Sequence, residues 1–111
     1  MSRAAENREQ ALVIVSAVAE FYEIDTDEIL RTWSPNGPAS DAMRVSAYLM
    51  LKRLPMRQVE VARLLNCYRT SIKRMALAVH RDRERYAEDL FEIEHEIEWR
   101  ARMSVPAVAF G

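Results

Sequence analysis

The stretch QVEVARLLNCYRTSIKRMAL, residues 58–77, decides how this chain folds, because it reads as two short helices separated by a single turn residue. Ala62 stands at the fifth place of the stretch, where two helices cross closely and a larger side chain would hold them apart. Asn66 stands at the ninth, at the turn, where a positive φ is reached most cheaply by glycine and next by asparagine. Val61, Leu65, Cys67, Ile72 and Met75 take inward places on two helical faces offset by that turn. Arg69, Thr70, Lys73 and Arg74 take the outward places of the second helix. The apolar side suits a core and the polar side suits nucleic acid. Two ordinary core helices of a small bundle give the same pattern, so the rest of the chain has to separate the two readings.

With 111 residues, the chain is long enough for one modest core. A composition of 50% hydrophobic and 30% charged residues excludes a disordered tail and fits a soluble globular domain. With only two glycines, four prolines and no β-branched alternation, the expected class is all-α: a compact bundle of five to six helices containing a helix-turn-helix. The longest apolar runs, residues 11–15 and 17–19, fall far short of the ~20 residues that span a bilayer, so no membrane contact is expected. Glu6 and Glu9 stand where a signal peptide would be basic. One cysteine, Cys67, cannot form an intramolecular disulfide and agrees with a reducing cytoplasm.

The net charge of -1 hides a segregation. Residues 1–43 carry three Lys+Arg against eight Asp+Glu, residues 44–85 carry eleven against three, and residues 86–111 carry two against six. A basic middle third that coincides with the helical hairpin is the footprint expected of a duplex binder. The competing expectation is that these cations pair with the acidic flanks.

In chain order, residues 1–10 are small and polar and expected to be frayed or flexible. A first helix over 4–22 carries Leu12, Val15, Ala19 and Tyr22 at helical spacing, widened by Val18 and Phe21, which suggests a central element. Asp25 and Glu28 form a capping-box pattern ahead of a short helix over 26–31. Residues 32–39, TWSPNGPA, read as a loop in which Trp33 is an aromatic lid on the core edge or a partner contact. Ser40 is the expected N-cap of a third helix over 41–54, whose face of Val45, Tyr48, Leu49, Leu51 and Lys52 is mostly apolar, with the basic Arg44, Lys52 and Arg53 expected outward. Pro55 ends it. The domain is expected to occupy 11–85. Over 86–103, Tyr86, Leu90, Ile93 and Ile97 make an apolar line among Glu88, Glu92, Glu94, Glu96 and Glu98, an acidic amphipathic helix that caps the core or, if it projects beyond the domain, pairs with a second subunit. Residues 104–111, apolar without periodicity, are expected to form a tail that is loosely ordered or packed in a partner's groove.

The order of elements resembles the C-terminal DNA-binding domain, domain IV, of the bacterial replication initiator DnaA, a Trp-repressor-like helical fold. Residues 14–30, IVSAVAEFYEIDTDEIL, look like that family's opening helix followed by its short second helix. Residues 43–54, MRVSAYLMLKRL, look like its third helix, with Arg44 at the family's arginine. Residues 60–66, EVARLLN, look like its "EIGRAFG", with Asn66 in place of the glycine. The likeness covers residues 14 to about 80. Two departures stand out: Tyr68, Arg69, Thr70 and Ser71 keep the hydroxyl pair of the family's recognition-helix start without its Asp-His pair, and residues 34–37 are not the family's basic minor-groove loop. These 111 residues contain no phosphate-binding glycine loop, so neither a nucleotide nor the family's ATPase module is expected in this chain.

Together these readings lead to an expectation of sequence-specific double-stranded DNA binding by a transcriptional or replication regulator. Arg69, Thr70, Ser71, Lys73 and Arg74 are the candidate base or phosphate contacts, and Arg44, Arg57, Gln58, Arg63 and Tyr68 the candidate backbone contacts. A homodimer through the last helix is a further expected partner. The alternative is a protein–protein adaptor that kept the fold, using Trp33, Phe110 and the acidic helix. No enzyme, cofactor or metal is expected: His80 and His95 suggest no catalytic pair, and Glu92 with His95 is a single Glu-x-x-His.

Overall fold

The computed structural model describes residues 3–31 and 39–110, with side chains over 3–30 and 39–103. It is all-helical over that span: α1 (Arg3–Phe21), α2 (Thr26–Arg31), α3 (Ser40–Arg53), α4 (Gln58–Leu65), α5 (Arg69–Arg81) and α6 (Arg83–Phe110). Trp33 and its loop lie outside the described residues.

The most buried helix is α3, which lies between α1 on one side and α4 and α5 on the other. Ala42, Met43, Val45, Ser46, Ala47, Leu49 and Met50 are all buried, which wraps the apolar surface around most of the helix. The spacing read from sequence finds Val45 and Leu49 but misses Met43, Ala47 and Met50, while Lys52 is exposed, as expected of an outward cation. As expected, α1 is a central element, packed on α2, α3 and α6. Its buried residues are Asn7, Ala11, Ile14, Val15, Ala17, Val18 and Ala19. Leu12, expected inward, is exposed together with Val13. In a helix apolar nearly all round, residue spacing does not select the face, and packing partners do.

The N-terminal residues are helical from Arg3, not frayed to residue 10. Asn7 accounts for this: it is buried, and its Nδ2 donates to the Pro55 carbonyl at 3.4 Å, tying the first turns of α1 to the α3–α4 junction. Ser40 is the first residue inside α3 and not its cap, because the chain turns in one residue earlier: the Ala39 carbonyl already accepts the Met43 N–H at 2.9 Å. At the far end, α6 runs on to Phe110, so residues 104–110 continue the helix and are not a separate tail. Pro106 forfeits one helical hydrogen bond within this stretch, and the strong helix formers Ala107 and Ala109 offset only part of that cost.

Two helix ends share one device. Glu23 and Asn66 have φ of 57° and 56°, in the left-handed region. In each case the following residue donates its N–H five residues back, Ile24 to Ala19 and Cys67 to Ala62, both at 3.0 Å. This Schellman closure satisfies carbonyls that the helix leaves open, and it reverses the chain sharply enough to lay α2 on α1 and α5 on α4.

The acidic helix α6 is fastened to the body at three places. Tyr86, buried, donates its hydroxyl to Asp41 at 2.7 Å, and Arg85 reaches the same carboxylate at 3.1 Å. Tyr22 donates to Asp89 at 2.9 Å. Farther along, Glu94 accepts from Lys52 and Arg53 at 3.1 and 3.0 Å, while Arg100 donates to Ser16 at 3.0 Å, to Glu96 at 3.1 Å and to Glu20. Burial, and then the neighbouring carboxylate, push the Tyr22 and Tyr86 hydroxyls above the usual tyrosine range.

Candidate nucleic-acid interface

The hairpin of residues 58–77 forms as two helices, α4 and α5, joined by Asn66, Cys67 and Tyr68. Ala62 is buried where they meet, and Val61, Leu65, Ile72, Met75 and Val79 enter the core. Cys67 is half-buried against that core, and burial raises its thiol above the ordinary cysteine range. The helix α5 therefore lies with one face on α3 and α4 and the opposite face in solvent.

That free face carries Arg69, Thr70, Lys73, Arg74, Leu77, His80 and Arg81, all exposed, with Ser71 half-buried at its edge. Arg69, Lys73 and Arg74 were expected here. Leu77, His80 and Arg81 were not singled out in the sequence, although continuing the i, i+4, i+8 series from Arg69 and Lys73 reaches Leu77 and Arg81. Leu77 is 41% exposed, an apolar side chain set among cations. At the start of α5, Tyr68 is extended, with φ −82° and ψ 149°, and its carbonyl closes the first turn by accepting from Ser71 and Ile72. No side chain caps this end, and the first turn contains no acid. The Tyr68 ring is 80% exposed beside it. An uncapped helix start next to an arginine and two hydroxyls is an environment that accepts an anion.

The charges of the basic segment divide into two groups. Lys52, Arg53 and Arg85 are paired to α6 or α3 carboxylates, at 3.0–3.1 Å for Glu94 and Asp41. Arg44, an expected backbone contact, is half-buried at the start of α3, 3.4 Å from Asp41. Arg57 is exposed but bound at 3.3 Å to Glu60, whose carboxylate also accepts the Arg57 backbone N–H at 3.0 Å. These two bonds hold the Glu60 carboxyl below its usual range, the backbone N–H contributing most. Gln58 is half-buried in the first turn of α4. The second group is Arg63 on α4, Arg69, Lys73, Arg74 and Arg81 on α5, and Arg83 at the start of α6, which form no ion pair among the described residues.

Glu92 and His95 are both exposed or at the exposed edge of α6, and no three His, Cys, Asp or Glu side chains converge on a metal-sized site among the described residues. No helix among the described residues is long and apolar enough to cross a membrane. No protein-family model, curated protein or solved structure matches this chain.

Proposed function

We propose that this chain binds double-stranded DNA sequence-specifically, with α5 as the recognition helix in a major groove, and acts in the regulation of transcription or replication. The observation that carries this reading is the set of unpaired cations on the free face of α4 and α5, in a chain whose other basic residues around α3 are neutralised by its own acids. Unpaired arginines and lysines on one helical face match the spacing of phosphates and the acceptor edge of guanine. Arg69, Lys73 and Arg74 supply base or phosphate contacts, and Thr70 and Ser71 donate hydroxyls near the helix start. Arg63 and Tyr68 flank the groove, while Gln58, Arg57 and Arg44 reach the backbone only by leaving their present surroundings. The order of helices and the Asn66 turn support kinship with the DnaA domain IV class, and a cytoplasmic location goes with that reading. A homodimer through the last helix is part of the same proposal.

Selection of bound duplexes from a random pool, followed by titration of the winner, tests it. The expected result is a preferred sequence whose affinity falls steeply with salt, by about one unit of log–log slope per phosphate contact. Arg69→Ala with Lys73→Ala should abolish the preference, and unchanged binding by that variant would overturn the assignment.

A second reading, a protein–protein adaptor, is favoured by one observation: Phe91 and Trp99 on α6 are 74% and 50% exposed. A salt-insensitive protein complex together with no duplex shift at low salt would select it.

A further inference from the structure

We propose that the outer face of α6 is the interface of an antiparallel homodimer whose two-fold axis passes beside His95. The proposal rests on the homodimer suggested above, and is independent of what α5 binds. At about 100° per residue, Tyr86, Ile93 and Ile97 point to the core, and the opposite meridian runs through His95. Phe91 and Trp99 lie four residues to either side of His95, and Glu88 and Arg102 seven to either side, all within about 40° of that meridian. All five are exposed.

This arrangement is self-complementary in one orientation. In an antiparallel pair related by a two-fold axis, a residue four positions before the axis faces the residue four positions after it on the other copy. Phe91 then stacks on Trp99 of the second copy, twice, and Glu88 meets Arg102, twice. Ala87 faces Met103 at the ends of the seam, a small side chain against a long one. Neither Glu88 nor Arg102 has an ion-pair partner within the chain among the described residues, so the cross-pairing costs no existing bond. A parallel pair would instead set Glu88 on Glu88 and Arg102 on Arg102. The flanking Glu92 and Glu98 face each other at the wet rim, which holds the affinity to that of a concentration-dependent dimer.

Sedimentation equilibrium of the full chain without DNA tests the pairing. A monomer–dimer equilibrium with Kd of roughly 10 μM is expected, and a monomer at all concentrations up to about 500 μM overturns the proposal. Phe91→Glu with Trp99→Glu should weaken dimerisation at least about tenfold while circular dichroism stays unchanged. Register is read by charge exchange. Glu88→Arg alone weakens the dimer, and adding Arg102→Glu in the same chain restores it; a double variant as weak as the single one overturns the antiparallel register. In a Cys67→Ser background, His95→Cys should give a covalent dimer under mild oxidation, and failure to cross-link also counts against the axis. Duplex binding is measured separately: a dimer that binds no DNA overturns the reading of α5 and leaves this one standing.

Discussion

The helices α5 and α6 follow one another across a single residue, Asp82, and obey the same rule with opposite results. Each lays an apolar line against the body, Ile72, Met75 and Val79 in one and Tyr86, Ile93 and Ile97 in the other. Each leaves the opposite face in solvent. On α5 that face is cationic, forms no ion pair among the described residues, and holds a single exposed large apolar side chain, Leu77. On α6 it carries two exposed aromatics among glutamates, while the acids along its flanks are spent on Lys52 and Arg53 of α3. Burial therefore fixes how both helices sit, and the outward faces are left to differ. A free cationic face suits a polyanion; an exposed aromatic ridge suits a protein surface.

The sharpest way to break this comparison is to alter neighbours on α5 that point opposite ways. Ile72→Ala removes a fully buried side chain and should cost about 2–4 kcal/mol of stability, seen as a lower midpoint in urea. Lys73→Ala, one residue on and exposed, should move that midpoint by less than about 0.5 kcal/mol and act on duplex affinity instead. If both variants lose stability equally, α5 has no free face.

The inward half of this contrast was legible in the sequence and the outward half only in part. Spacing placed Ile72, Met75, Tyr86, Ile93 and Ile97 correctly, because each helix has one narrow apolar line. It misplaced Leu12 and overlooked Met50, since α1 and α3 are apolar over most of their circumference and only the packed neighbours choose between faces. Which cations are neutralised was illegible for another reason. Glu94 lies more than forty residues from Lys52 and Arg53, so only the fold reveals that the charge of α3 is spent while that of α5 is not.

A smaller effect tests how firmly α6 is held. Tyr86 donates to Asp41, and Tyr22 to Asp89, so both hydroxyls are stabilised in their protonated form. Their folded-state values lie above the ordinary 10.0. Stability from these groups is complete below that ordinary value and declines as pH rises beyond it, because the unfolded chain ionises first. Denaturation between pH 8 and about 11 should show this decline, and Tyr86→Phe should reduce it to the part that Tyr22 contributes. At neutral pH the same variant should cost about 1.5 kcal/mol, since Asp41 keeps Arg85 and Arg44 as partners.

Smaller again is the turn that aims α5. Asn66→Ala places a Cβ in the left-handed region without the local hydrogen bonding asparagine offers, and should cost about 1 kcal/mol. Asn66→Gly should be neutral or better, and Glu23→Gly should stabilise by about 0.5–1 kcal/mol, because glutamate gains nothing from the same conformation.

The smallest change separates cap from charge on the α4–α5 hairpin. Glu60 closes the first turn of α4 through the Arg57 N–H and also holds the Arg57 guanidinium. Its carboxyl is lowered in the folded state, so its contribution is present above the ordinary 4.5 and disappears as pH falls through the folded value. Denaturation from pH 7 to about 3 should show that acid loss in the native chain and not in Glu60→Gln. The same substitution releases Arg57 beside Arg63 and removes the one acid of α4. Duplex affinity should therefore rise and its salt slope grow by about one, even as the helix start weakens. A variant that loses both stability and affinity would mean that Arg57 must stay tethered to Glu60 for the hairpin to present its cations.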